Sequence, residues 1–162
     1  MSHRGAVMDA VRAQRIIEDA TKRVRGGIVW RQHSGRNVVM FEVPVENDLG
    51  EPVALLGQCQ PATGHYKLIL LAGDDRASIY RYESSGVHRM KDGSGPPIDG
   101  PHVNPFWDGK RDLSHEERDI PANDLRRAVH AFAERVNIRG VRRVRLPEQL
   151  QQMMKFEGGE QS

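Results

Sequence analysis

Four turn signals within residues 47–86 dictate what the middle of this chain can become. Asn47 to Gly50, Pro61 to Gly64, Gly73 to Asp75 and Ser84 to Gly86 separate apolar segments that are strand-sized. The gaps are of hairpin length, so successive segments pair antiparallel, because a parallel pair needs a crossover of a dozen or more residues. The segments are 37–45, 52–60, 65–72, 76–83 and a short 87–91, preceded by 27–32 with Ile28, Val29 and Trp30. In the first, Val39, Phe41, Val43 and Val45 share one face, opposed by Val38, Met40 and Glu42, the period of a half-buried strand. Pro44 fits an edge position or the last pair of a ladder. In 76–83, Ala77, Ile79 and Arg81 alternate with Ser78, Tyr80 and Tyr82. A strongly twisted antiparallel sheet of five or six strands is expected.

Helical periodicity lies outside this region. Ala13, Ile16, Ile17, Ala20 and Val24 mark a helix over 6–24, stopped by Gly26 and Gly27. A second opens at 119–124, with Asp119 or Asn123 as cap, buries Leu125, Val129, Phe132 and Val136, and ends at 137–140. Residues 141–145 read as a short strand, and 147–156 as a last helix that frays into Gly158 and Gly159. Strands in the middle with helices at both ends make the class α+β, with the N-terminal and C-terminal helices packed on one face of the sheet. Residues 1–162 are expected to form one domain with a frayed tail after about 156.

That domain carries an insertion at 92–118. Residues 95–108 hold four of the nine prolines, one of the two tryptophans and a histidine, which predicts neither a regular helix nor a central strand. A stiffened excursion of this length is usually functional. Here Phe106 and Trp107 either stack on a base or on a partner, or plug one end of the sheet.

No apolar run approaches the ~20 residues of a membrane span, and Arg4, Arg12, Arg15, Lys22, Arg23 and Arg25 replace any signal-peptide core. Cys59 is the single cysteine, which precludes an internal disulfide and fits a reducing cytoplasm; it reads as a small buried strand residue. The formal charge of +2 hides an asymmetry, since residues 121–145 carry seven arginines against Asp124 and Glu134. Helical spacing sends Arg126, Arg127 and Arg135 to solvent. Arg139, Arg142, Arg143 and Arg145 lie beyond the helix end, where a stripe for a phosphate backbone is easier to form.

Neither a Walker loop, a dinucleotide glycine pattern nor a His-Glu-x-x-His motif occurs. The chemistry available is imidazole beside guanidinium. His88 with Arg89, His102, and Tyr80, Arg81 and Tyr82 on a presumed neighbouring strand supply the minimum for metal-independent RNA cleavage. That minimum is a base for the ribose 2′-hydroxyl and a cation for the phosphorane. Cross-strand opposition of 80–82 with 88–89 is the arrangement required. No cofactor is implied, and a metal site of His88, His102 and Asp108 lacks any fixed ligand spacing.

The succession Ile79-Tyr80-Arg81-Tyr82-Glu83, then His88-Arg89, then Gly100-Pro101-His102, then a helix ending Phe132-Ala133-Glu134-Arg135-Val136-Asn137-Ile138, resembles TumE-like and related small prokaryotic proteins of toxin–antitoxin type. The resemblance spans about residues 64–138. It implies a compact α+β cytoplasmic protein that acts on or binds RNA, encoded beside a protein partner, with Tyr82, His88, Arg89 and His102 carried over. The segment 108–119, the long N-terminal helix and the basic tail depart from that pattern. The other expectation is a non-catalytic inhibitor from a phage or mobile element, which would use the same loop and arginines to block a nucleic-acid-processing protein.

Overall fold

A computed structural model describes residues 7–33, 37–148, 150 and 151. In chain order the elements are α1 (Ala10–Glu18), β1 (Ile28–Val29), β2 (Arg31–Gln32), β3 (Val39–Pro44), β4 (Val53–Cys59), β5 (Tyr66–Ala72) and β6 (Ala77–Glu83). They continue with β7 (Val87–His88), β8 (Ile98–Asp99), β9 (His102–Pro105), β10 (His115–Glu116), α2 (Leu125–Arg135) and β11 (Val144–Arg145). The class is α+β. One seven-stranded antiparallel sheet runs β10-β9-β6-β5-β4-β3-β2, with two small ladders, β7-β8 and the parallel β1-β11, beside it.

The meander from β3 to β6 follows the hairpin-length turns. The sheet is wider than the five or six strands expected, because the 92–118 insertion contributes β9 and β10 to one edge. His102 therefore sits in a strand flanked on both sides and not in a loop. Val103 points into the core, and Pro105 ends β9 beyond the two residues that β10 covers, so its missing N–H leaves no ladder bond unmade on that side.

Register sorts the faces. Val39, Phe41, Leu55, Cys59, Tyr66, Leu68, Leu70, Tyr80, Tyr82 and Val103 point to one side and are buried. They form a single core with Ala13 and Ile16 of α1 and Leu125, Val129 and Phe132 of α2. A bulge between Leu70 and Leu71 adds Ile79 to the buried set, breaking the simple alternation expected on β6. The opposite face carries Glu42, Gln58, Lys67, Ile69, Arg81 and Glu83, exposed or half-buried.

Gly57 on β4 lies under an edge-to-face pair, Trp30 on Phe41, with ring centroids 4.6 Å apart. A Cβ there would meet Trp30 Cη2 at 2.6 Å and Phe41 Cδ1 at 2.7 Å, so the aromatic pair occupies the space that any side chain needs.

The helices are shorter than their apolar stripes. Asp9 caps α1 through the Arg12 N–H at 2.7 Å, and the helix stops at Glu18 rather than 24. The Asp19 carboxylate takes both the N–H and the hydroxyl of Thr21, an Asx turn that competes with the next helical bond. Lys22, fully buried, then bends back to donate to the carbonyls of Ile16 (2.6 Å), Ile17 (3.0 Å) and Asp19. The cap of α2 is Asp124, not Asp119 or Asn123, and Asn137 in the left-handed region (φ 61°) ends it. Leu150 and Gln151 donate to the Pro147 carbonyl; residues 152–156 of the expected last helix lie outside those described.

Candidate acid–base centre

Glu83 and His102 face each other across β6 and β9 on the polar side of the sheet. The His102 ring is 2% exposed, with Nε2 3.0 Å from Glu83 Oε2 and Nδ1 2.8 Å from the Gly100 carbonyl. Both neighbours are acceptors, so both ring N–H groups are satisfied together only in the imidazolium form. The Glu83 hydrogen bond accordingly raises His102 against the opposing effect of burial. That same bond, helped by Arg81 and Lys67, holds the Glu83 carboxyl at about 2 despite burial. Asn104 Nδ2 also donates to Glu83 Oε2 (2.9 Å), and Ser114 Oγ donates to Asn104 Oδ1 (2.8 Å).

His88 approaches from β7. Its Nε2 lies 2.7 Å from Asp112 Oδ2, an oxygen that also accepts the Lys91 N–H at 2.8 Å, while Asp112 Oδ1 accepts the Ser114 N–H at 3.0 Å. Burial pushes the Asp112 carboxyl up, but the donors Lys91, Ser114 and His88 outweigh it and keep it well below the carboxylate range. A carboxylate accepts only, so Nε2 carries the proton and Nδ1 of His88 is left as the basic nitrogen. The rings of His88 and His102 are 5.7 Å apart. The site thus places an imidazole oriented by the Asp112 carboxylate beside a second imidazole whose two ring nitrogens both face acceptors.

Not all expected members assemble here. Arg81 does, with Nη2 3.7 Å from Glu83 Oε2 and a buried Nε that has no hydrogen-bond partner. Arg89 is exposed and makes no ion pair among the described residues. Tyr82 is excluded from the site: it is fully buried on the helix side and donates its hydroxyl proton to the Ile120 carbonyl. The opposition of 80–82 with 88–89 is also absent, since β7 pairs with β8 and the neighbour of β6 is β9. Phe106 packs on the core, whereas Trp107 is half-buried with Lys91 Nζ 5.5 Å from its ring centroid. Asp108 is exposed and accepts the amides of Lys110 and Arg111, apart from the two imidazoles; no metal-holding cluster occurs among the described residues.

Arg139, Arg142, Arg143 and Arg145 are exposed, in the segment that follows α2. Their segment runs beside residues 22–30, with Val24, Ile28 and Trp30 donating to the carbonyls of Arg139, Arg143 and Arg145. Residue 30 leads directly into β2, the edge strand opposite β9 and β10. Five strand spacings of about 4.8 Å separate β2 from β9, so Arg143 and Arg145, bonded to residues 28–30 next to β2, stand toward the edge of the sheet opposite the imidazoles. Arg135 departs from its expected place in solvent and forms a two-bond pair with buried Glu117.

Glu83 was readable as a site residue, since alternation along β6 puts it on the side of Arg81. Asp112, Asn104 and Ser114 were not, because each meets the site through a contact the chain makes only after folding. No protein-family model, curated protein or solved structure matches this chain. No helix among the described residues is long and apolar enough to cross a membrane.

The Glu83–His102 contact gives a stability profile with two limbs. Glu83 is depressed from 4.5 to about 2, so its contribution is present above pH 4.5 and lost as pH falls through 2. His102 is raised from 6.5, so its contribution is present below pH 6.5 and lost as pH rises through the folded value. Both include the same contact, at full strength between pH 4.5 and 6.5, and Arg81 and Lys67 add to the Glu83 limb. Urea unfolding of wild type and Glu83→Gln across pH 2–9 should show both limbs flattened in the variant; an unchanged profile would assign them elsewhere.

Proposed function

We propose that this is a cytoplasmic, metal-independent ribonuclease of toxin type that works beside a protein partner. The reading rests on one observation: the His88–Asp112 pair, 2.7 Å apart, stands next to the His102 imidazolium. His88 Nδ1 removes the proton of a ribose 2′-hydroxyl, whose oxygen attacks the adjacent phosphorus. The P–O5′ bond breaks, and water protonates the leaving oxygen. Asp112 orients the base, while His102 and Arg81 supply positive charge for the phosphorane. His102 is a fixed charge and not a proton donor, because both its N–H groups are engaged.

The test is cleavage of RNA in the presence of a chelator. His88→Ala should lower the rate by a hundredfold or more, the range of a lost general base. Asp112→Asn should follow with a smaller loss, and toxicity on expression should fall in parallel. Full cleavage by His88→Ala would end the assignment, and loss of activity with chelator would move it to metal chemistry.

A second reading is favoured by the remote stripe of Arg139, Arg142, Arg143 and Arg145, which is exposed and makes no ion pair among the described residues. It is a non-catalytic inhibitor, phage-borne or mobile, that binds a polyanion or a nucleic-acid-processing protein there. Charge reversal at Arg142 and Arg143 should then weaken RNA binding and flatten its salt dependence. An unchanged salt slope would remove the stripe from the account.

A further inference from the structure

We infer that Trp107 is a nucleobase platform for the His88 centre, so that the substrate strand is unpaired where it is cut. This rests on the ribonuclease reading and names its substrate class. The Phe106-Trp107 pair divides its labour: Phe106 is packed against the core, and the Trp107 ring is left half-buried at the surface.

Two contacts tie that ring to the dyad. Lys91 Nζ lies 5.5 Å from the ring centroid, within cation–π range. The Lys91 N–H donates at 2.8 Å to Asp112 Oδ2, the same oxygen that holds His88 Nε2 at 2.7 Å. One carboxylate therefore holds both the His88 ring and the Lys91 backbone, from which the side chain reaches the indole, and its other oxygen is fixed by Ser114.

A nucleotide is complementary to this trio. Its base offers a π-face to the indole, its phosphate an anion to the Lys91 ammonium, and its 2′-hydroxyl a proton to His88. A paired base in a duplex is stacked on both faces and cannot offer one; an unpaired base can. When the base stacks, Lys91 exchanges the ring for the phosphate, so the cation that covers the platform in the free protein becomes a ligand of the bound strand.

The two tryptophans make the test specific. Trp30 is 2% exposed, so quenching by added RNA reports Trp107, and the surviving Trp30 emission reports an intact core in Trp107 variants. The His88→Ala protein, in which cleavage is expected to be slow on the timescale of a titration, is titrated with a ten-residue oligouridylate and with a blunt RNA duplex of equal length. The single strand should quench and the duplex should not. Trp107→Ala should bind the single strand on the order of tenfold more weakly, with Trp107→Phe close to wild type. Equal affinity in Trp107→Ala, or equal quenching by the duplex, overturns the inference. Cleavage that survives His88→Ala while quenching persists counts against the acid–base assignment alone; His88-dependent cleavage without quenching counts against the platform alone.

Discussion

Gly57→Val should leave no stably folded protein, and Gly57→Ala should cost about 3 kcal/mol, the upper range for overpacking a filled core. The reason is local and steric. Gly57 sits in the middle of β4, opposite Phe41 on β3, and the Phe41 and Trp30 rings occupy the volume above its Cα. Neither ring can step aside: Phe41 is 4% exposed, Trp30 2%, and the two are locked edge to face. Backbone strain plays no part, since Gly57 is not among the glycines with positive φ. Chemical denaturation of Gly57→Ala measures the cost, and the double variant with Phe41→Leu should recover part of it. A Gly57→Ala protein within 1 kcal/mol of wild type would show that the aromatic pair is not packed against this strand.

Arg135→Ala comes next, with a loss of about 3 kcal/mol, the low end for stripping one member from a buried ion pair. Glu117 is 4% exposed and receives two parallel bonds from the guanidinium, at 2.9 and 2.6 Å. Arg135 itself is one-third exposed, which keeps the cost from the top of the range. Its guanidinium is raised first by Glu117 and further by Tyr80, against burial. Removing it leaves a carboxylate with little water around it. Glu117→Gln in the same chain should restore most of the loss, and Arg135→Lys only part, since an ammonium cannot match the fork. Equal destabilisation in the single and double variants would refute the pair as the cause. Because Glu117 directly follows β10, and its N–H bonds the Pro101 carbonyl, this pair also pins the segment that carries Asp112 and Ser114. On the ribonuclease reading, RNA cleavage by Arg135→Ala should therefore fall along with its stability.

These two residues mark how far sequence reasoning reaches. The meander was legible because turn residues and period-two alternation are local signals, and β3 through β6 follow them. The insertion was not: Pro101 and Pro105 argued against a strand, yet they bracket one, because proline forbids only an interior position whose N–H is needed. Arg135 read as a solvated helix charge, since nothing in its own helix announces the carboxylate 18 residues upstream. Among the histidines, the meeting of His88 with His102 was expected, but by a different route from the one the chain takes. Glu83, behind His102, lies on the regular strand β6, but Asp112, behind His88, lies in the insertion, and only the folded backbone brings it in.

The parallel ladder of Ile28 with Val144 has a consequence for synthesis. Its two strands are separated by more than a hundred residues, so the first must wait on the ribosome until the last emerges. Until then Ile28, buried at the end, lacks its final partner strand on the nascent chain. The meander can form as it is translated, whereas this ladder closes only once Val144 is available. That interval is when a chaperone has its opportunity to bind.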